Sequence, residues 1–460
     1  MLQGLRDMYN KPDLRFKSID QANAVKGALL RDRDQLIILP TGGGKTVTYL
    51  LPIYLEKELT TVIILPYVVL VEQVEQLCID HEISCQVWRG KGHSSGKSQA
   101  IIAAVEHGVS TEFQTLLTVL ESTNRLARIV LDECHTRFTH SGFREDIRRL
   151  GCVTRCVSVP IQLVTATCPP AMVDKIRINF GCQSLDVIRS MEDRKELKYG
   201  VRFLEDDVDT FEEANDVMGQ WVWKKSKDWD GKDRGLIYCC QTKWAEEMCE
   251  LFNQRAGGEW CGTYHAKMDE VKRREVLSKW KQGDLKILIA TSALGAGLDY
   301  GAVRFVVHQG FAQRMIDFCQ ESGRAGRDGK AAESVVFFWK GFEKEVEWIK
   351  QEGKVEMLEW VKMEGCRRKA LSVYLHGFGE DCMCRRDAAL CDNCEKAMDG
   401  AGSLRIEEVR GVKRKRDEEK REVCDAVELK EMIEDIKGKC PLCWMNGKDE
   451  DIDHLVSRCP

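Results

Sequence analysis

Short apolar runs recur along the first two thirds of the chain, separated by longer stretches whose apolar positions return every three or four residues. The runs lie at 35–39 (QLIIL), 61–65 (TVIIL), 100–105 (AIIAAV), 128–131 (RIVL) and 162–164 (QLV), each ending in a polar or glycine turn. Runs of this length bounded by turns fit strands buried on both faces of a parallel sheet. The stretches between them, such as 111–127 (TEFQTLLTVLESTNRLA), are long enough for crossover helices. Alternation of the two predicts an α/β sheet covered by helices on both faces.

The pattern then restarts. A charged segment at 190–205 separates the first series from a second, at 235–239, 286–290, 304–308 and 334–339. Two α/β domains follow, 1–193 and 194–345, with Trp221, Trp223 and Trp229 on an amphipathic helix packing against the second. Residues 343–380 read as helical and charged, and 382–394 are dense in cysteine. The almost wholly charged run at 405–421 reads as a solvated linker. The expected division of the remainder is a zinc-binding subdomain at 346–396, a linker at 397–435 and a small unit at 436–460.

Composition narrows the class. At 460 residues the chain is too long for one core. A hydrophobic content of 43% excludes a largely disordered chain, and a net charge of −5 excludes a uniformly basic one. Local basic grooves remain compatible with that total. The start, MLQGLRDMYN, has no apolar core of a signal peptide. The 21 cysteines fall below the ~8–10% that marks a disulfide scaffold. A reducing compartment is expected, with clustered cysteines as metal ligands and Cys168, Cys239 and Cys240 as buried thiols. The longest apolar stretch, 62–71, contains Pro66 and is far below the ~18–20 residues that span a bilayer, so no membrane partner is expected.

The sequence at 39–46, LPTGGGKT, follows an apolar strand and opens a helical pattern, the setting of a phosphate-binding loop. Thr41, Gly42, Gly43 and Gly44 let backbone N–H groups close around phosphates, and the helix N-terminus adds its dipole. Lys45 would reach the β- and γ-phosphates of ATP, and Thr46 would ligate Mg²⁺. The run 128–131 ends in Asp132 and Glu133, at the ligand edge of an α/β sheet. Asp132 would hold Mg²⁺, and Glu133 would orient and deprotonate the attacking water. In the second domain, QESGRAGRDG (320–329) places Gln320, Arg324 and Arg327 together. Two arginines separated by small residues can point at one phosphate cluster. Arg327 is the candidate arginine finger, with Arg324 beside it.

The order LPTGGGKT, DECH (132–135), TATCPP (165–170), ATSALGAGLDY (290–300) and QESGRAGRDG resembles the superfamily 2 helicases, and within them the RecQ family. FKSIDQ (16–21), YHAKM (264–268) and VRFVVHQG (303–310) are further matches, and the resemblance covers residues 12–394. It is similar in detail to short RecQ-like helicases of fungi. It implies two RecA-like domains and ATP-driven translocation on single-stranded DNA, with 3′-to-5′ unwinding of duplex DNA, in recombination or repair. It implies that Gln21 reads adenine and that Thr165 and Thr167 couple ATP state to DNA. Thr291 and Ser292 would touch the DNA backbone, with Gly295 and Asp299 shaping the same loop. Two departures stand out: TRFTHSGFRED (136–146) has only Phe138 and Phe143 where the family carries an aromatic-rich loop with tryptophan, and Lys267 replaces a usual glycine.

Cys366, Cys384, Cys391 and Cys394 supply four thiolates, enough for a tetrahedral structural Zn²⁺ site. The stretches CRRKALSVYLHGFGE (366–380) and CDNC (391–394) resemble the RecQ zinc-binding subdomain. Cys382 competes with Cys384 for the second position, and Cys384 lies nearer the family's spacing. Cys440, Cys443, His454 and Cys459 form a second candidate Zn²⁺ set, beside Trp444. The basic run 413–416 (KRKR) reads as a nuclear import signal or a DNA contact, equally as a solvated charge run. The stretch after Cys394 is short and charged, so no winged-helix domain is expected there. The leading expectation is an ATP-dependent DNA helicase in the nucleus. The rival is a nucleic-acid-binding protein, or a translocase on DNA or RNA that does not separate strands.

Overall fold

The computed structural model describes residues 1–90, 97–136, 150–151, 153–190, 194–204, 208, 210–294, 298–345, 354–385 and 387–401. The chain divides into two compact units, Met1–Cys394 and Glu395–Pro460, and of the second only the end of the helix Asp392–Ala401 lies among the described residues. Phe138, Phe143, Gly295, the run 413–416, Trp444, Cys440, Cys443, His454 and Cys459 all fall outside them.

Two sheets organise the first unit. The first contains β1 (Asp34–Ile38), β2 (Thr60–Leu65), β3 (Cys85–Trp88), β4 (Ala100–Ala104), β5 (Leu126–Asp132), β6 (Ile161–Thr165) and β7 (Leu185–Arg189), in the order β3-β4-β2-β5-β6-β1-β7. The second contains β8 (Leu197–Phe203), β9 (Arg234–Tyr238), β10 (Cys261–Tyr264), β11 (Ile287–Ala290), β12 (Val303–Gln309) and β13 (Ala332–Phe338), in the order β10-β11-β9-β12-β13-β8. Every neighbouring pair is parallel.

The continuous apolar runs have a packing reason. Successive strand residues face opposite sides of a sheet. Leu36, Ile38, Val62, Ile64, Ile129 and Leu131 join one buried cluster, while Ile37, Leu39, Ile63, Leu65, Val130 and Val164 join another. Both faces are covered, so both sets must be apolar. The second sheet repeats this, with Ile237, Ile289 and Val307 on one face and Leu236, Leu288 and Val306 on the other. Each such aliphatic side chain contributes ~1.5–3 kcal/mol on burial.

All nine expected runs are strands. Four further strands, β3, β7, β8 and β10, were not expected, and each lies at the edge of its sheet. β8 falls inside the charged segment 190–205 that was read as a separator. Of the three tryptophans, Trp221 packs on Phe305 and Phe337 under the helix Phe211–Ser226, Trp229 packs on Phe305, and Trp223 is exposed.

After β13 the chain adds the helices Lys354–Lys362, Arg367–His376 and Asp392–Ala401. Met357, Trp360, Val361 and Leu371 enter the core of the second sheet's domain, with the Trp360 ring 4.6 Å from Phe318. The extension is therefore built onto the second domain.

Candidate nucleotide cleft and thiol cluster

A cleft of about 970 Å³ opens between the two sheets, lined by Lys45, Thr46 and Glu133 from one side and by Gln320, Arg324 and Arg327 from the other. Its floor is set by strand direction. β1, β5 and β6 all end at this rim, so the phosphate loop, Asp132–Glu133 and the Thr165–Thr167 turn converge there.

The phosphate loop is shaped by its glycines. Gly42 and Gly44 have φ of 82° and 78°, a region that costs other residues strain. A side chain on Gly44 would also meet Gln21 Nε2 at 2.1 Å. Gln21 is buried, accepts from Lys17 N at 2.7 Å and donates to Gly44 O at 3.0 Å, while Lys17 Nζ donates to Gly42 O at 2.7 Å. Gln21 thus braces the loop directly. Lys45 Nζ lies 3.4 Å from Leu39 O and 3.5 Å from Pro40 O, folded back over its own loop. A phosphate in the loop would offer that ammonium a charged partner in place of two distant carbonyls.

The carboxylate pair is held by buried donors. Tyr49, fully buried, donates to Asp132 Oδ2 at 3.0 Å, and Glu133 N donates to Oδ1 at 2.9 Å. Burial and the neighbouring Glu133 charge push the Asp132 carboxyl up to about 6, against the pull of Lys45. Burial also raises Glu133, but the hydrogen bond and charge of His135, with Lys45 and Arg324, outweigh it and bring the carboxyl down to about 2. Glu133 has φ of 50°, a left-handed position that turns its side chain out of the strand line. Thr46 and Asp132 are hard oxygen donors on adjoining elements at the phosphate loop, which suits Mg²⁺. That ion would supply neutralisation of phosphate charge.

His135 ties the carboxylate to the opposite domain. Its Nδ1 lies 3.3 Å from Glu133 Oε2 and 2.9 Å from Thr165 Oγ1. Its Nε2 meets Gln320 Nε2 at 2.6 Å, and the same amide nitrogen donates to Thr167 Oγ1 at 2.6 Å. Nδ1 thus faces Glu133 and Thr165, while Nε2 faces Gln320 across the cleft. Thr165 Oγ1 in turn donates to Thr167 O at 3.0 Å. Sequence reading placed Gln320, Thr165 and Thr167 here but assigned nothing to His135. Its place two residues after Glu133 was the available signal.

The two arginines differ. Arg327 donates to Gly323 O at 3.2 Å, Leu298 O at 3.1 Å and Asp299 Oδ1 at 3.0 Å. Arg324 is more deeply buried, donates to Leu298 O at 3.1 Å, and its charge is felt at Glu133. Arg324 therefore stands closer to the carboxylate in effect than Arg327, the residue first expected as the finger. Arg194 holds their loop by donating to Gly323 O at 3.0 Å and to Ala325 O. Asp299 belongs to this arginine corner through Arg327. Ser292 is exposed at the end of β11, and Thr291 N bonds Tyr264 O at 3.1 Å.

The thiol cluster consists of Cys366, Cys382, Cys391 and Cys394, all buried, with sulfur atoms within 4.8 Å of one another. Cys366 and Cys382 sulfurs are 3.4 Å apart. A tetrahedron of Zn–S bonds of ~2.3 Å has edges of roughly 3.8 Å, so the set fits Zn²⁺. Cys384 is exposed and outside the cluster, which corrects its assignment as second ligand. The reason is local: Cys382–Cys384 form one 3-10 turn, which points the first sulfur inward and the last outward. The cluster is locked to the second domain. Asp392 accepts from Arg367 Nε at 2.5 Å and from Val201 N at 3.0 Å, and Asn393 Nδ2 donates to Met363 O and Gly365 O at 2.9 Å.

Two parallel-sheet domains, one carrying a phosphate loop and a carboxylate pair and the other paired arginines, define the motor core of a superfamily 2 helicase. Residues 18–176 match the DEAD/DEAH box helicase family, and 223–329 match the helicase conserved C-terminal domain. The fold is similar to that of the DEAD-box helicase Mss116 bound to ssRNA and UDP-BeF, with 18% identity and a TM-score of 0.60 over 76% of each chain. It is also similar to the DUF1998 helicase MrfA bound to DNA, with 17% identity and a TM-score of 0.58 over 87% of this chain and 57% of that one. Within this class the chain's homologues are RecQ-family ATP-dependent DNA helicases. It is 26% identical to ATP-dependent DNA helicase Q5 of Rattus norvegicus over 81% of its own length and 28% identical to ATP-dependent DNA helicase hus2/rqh1 of Schizosaccharomyces pombe over 82%. The chain spans 40% and 30% of the lengths of those relatives. Among the described residues no helix is long and apolar enough to cross a membrane.

Proposed function

We propose that the protein is an ATP-dependent DNA helicase that steps along single-stranded DNA in the 3′-to-5′ direction and separates duplex ahead of it, acting in the nucleus in recombination or repair. The observation that carries this reading is the chain Glu133–His135–Gln320–Thr167, which crosses the cleft. ATP would draw Lys45 onto its phosphates and bring Arg324 and Arg327 against them. Glu133, ionised at neutral pH, would accept the proton of the attacking water. Loss of the γ-phosphate would release the arginines and let the domains part, one step per turnover. The thiol cluster would hold Zn²⁺ as a structural staple for the extension. DNA as the track rests on the RecQ relatives, whose names are those of DNA helicases.

The test is ATP hydrolysis with and without single-stranded DNA, with Glu133→Gln as the blank, followed by strand displacement on 3′-tailed, 5′-tailed and RNA duplexes. Stimulation by DNA with displacement only from the 3′ tail is the expected result. Hydrolysis stimulated equally by RNA, or without displacement, would replace the reading by a translocase that does not unwind DNA.

A further inference from the structure

Arg189 is the last residue of β7, where the chain leaves the first domain. One nitrogen of its guanidinium, Nη1, donates to Cys168 O at 2.6 Å and to Leu375 O at 2.8 Å. The first carbonyl ends the Thr165–Cys168 turn, one residue beyond the Thr167 that Gln320 holds. The second belongs to the last turn of the helix Arg367–His376, 186 residues further along the chain.

That last turn needs a donor. The final four carbonyls of a helix have no partner within it. Gly377 closes this one in a left-handed conformation, and its N–H bonds Val373 O, which leaves Leu375 O to a neighbour. A cation at a helix C-terminus is also favoured by the helix dipole. A second contact lies alongside: a side chain on Gly377 would sit 3.6 Å from Pro170 Cγ, at the start of the first domain's helix Pro170–Phe180.

The other end of the same helix is anchored elsewhere. Arg368 donates to Arg194 O at 2.8 Å, Leu197 O at 2.7 Å and Ala389 O at 3.1 Å, fixing it to β8 and the thiol loop. The helix Arg367–His376 therefore spans the wall of the cleft, rooted on the second domain and tied to the first through Arg189.

We propose that Arg189 is a positioning residue that joins the Thr165–Cys168 turn to the end of helix Arg367–His376, so that the nucleotide state sensed by Gln320 and Thr167 is delivered to the cysteine-bearing extension. The route is continuous: Gln320 to Thr167 at 2.6 Å, the next residue's carbonyl to Arg189, and Arg189 to Leu375 O. The inference rests on the cleft being an ATP site. Coupling of this kind requires a contact that differs between two states of the element, and a tie across two domains that move on nucleotide binding has that property.

Hydrogen–deuterium exchange on the full chain tests it, with and without Mg²⁺ and a non-hydrolysable ATP analogue, beside direct titration of a fluorescent form of that analogue. In the native protein the analogue is expected to slow exchange in both 164–168 and 372–377. In Arg189→Ala the response at 164–168 persists and that at 372–377 falls by about tenfold, the scale of one charge-assisted hydrogen bond. Arg189→Lys, which keeps the charge and one donor group, restores part of it. The proposal is overturned if the native protein binds the analogue yet 372–377 does not respond, or if Arg189→Ala transmits as the native protein does. Failure to bind the analogue at all would instead overturn the ATP-site reading and this inference with it. Should Arg189→Ala not fold, the native measurement and Arg189→Lys decide the matter.

Discussion

Gln320 of the second domain and His135 of the first meet nitrogen to nitrogen at 2.6 Å across the cleft. The same histidine reaches Glu133 Oε2 at 3.3 Å through Nδ1, so the contact bears directly on the carboxylate. The contact fixes the orientation of the imidazole ring, and so keeps its Nδ1 on Glu133. Gln320→Ala removes the orienting donor without removing phosphate contacts. We expect kcat for ATP to fall by about 10–100-fold while nucleotide affinity changes by less than about threefold. A variant that lost binding and turnover in equal measure would show that Gln320 serves binding instead.

Glu133 and Lys45 separate in the same assay. Glu133→Gln keeps the shape of the side chain and removes the base, so turnover should fall by about 10²–10⁴-fold with the analogue still bound. Lys45→Ala removes the phosphate partner, so binding itself should weaken by at least about tenfold. Both proteins should unfold at the native temperature within a few degrees, as both side chains sit in an open cleft.

The thiol cluster makes a sharper demand on two neighbouring cysteines. Cys382→Ser should abolish bound zinc, measured by elemental analysis, and lower the unfolding temperature by several degrees. Cys384→Ser should change neither, because that residue is exposed and is not one of the four clustered thiols. The opposite pattern would restore the spacing argument.

Asp317 gives a pH dependence. Burial and the charge of Glu321 push its carboxyl up to about 7, against the pull of Arg314 and His135. The folded protein thus holds this proton more tightly than the unfolded chain, whose aspartate titrates near 3.8. Stability from this group is complete below pH 3.8 and is lost as pH rises through about 7. Asp317→Asn cannot ionise, so it should raise the unfolding temperature at pH 8 by more than at pH 5. Equal shifts at both values would assign the effect to packing.

What was legible in the sequence follows burial. The nine expected strands sit inside their sheets or are covered on both faces, and so read as unbroken apolar runs. β3 (CQVW), β7 (LDVIR), β8 (LKYGVRF) and β10 (CGTY) are edges, where one side meets water or another element and polar residues interrupt the run. The phosphate loop, carboxylate pair and arginines were legible because their chemistry demands contiguous residues. Cys382 was misjudged for the opposite reason. Spacing along the chain says which cysteines are near in number, whereas a single 3-10 turn decides which one faces inward. Arg189 was invisible, since its two partners are carbonyls that any residue supplies.

The uniform strand direction has a practical corollary. The cleft lies at the strands' finishing ends, which leaves the starting ends as a rear rim on the far side of each sheet from it. Thr123, just before β5, and Gly258, just before β10, are exposed on that rim, and Gly258 has open space around it. A donor and acceptor dye installed there would turn the molecule into its own ruler, reporting each opening and closing of the motor by energy transfer while leaving the engine untouched.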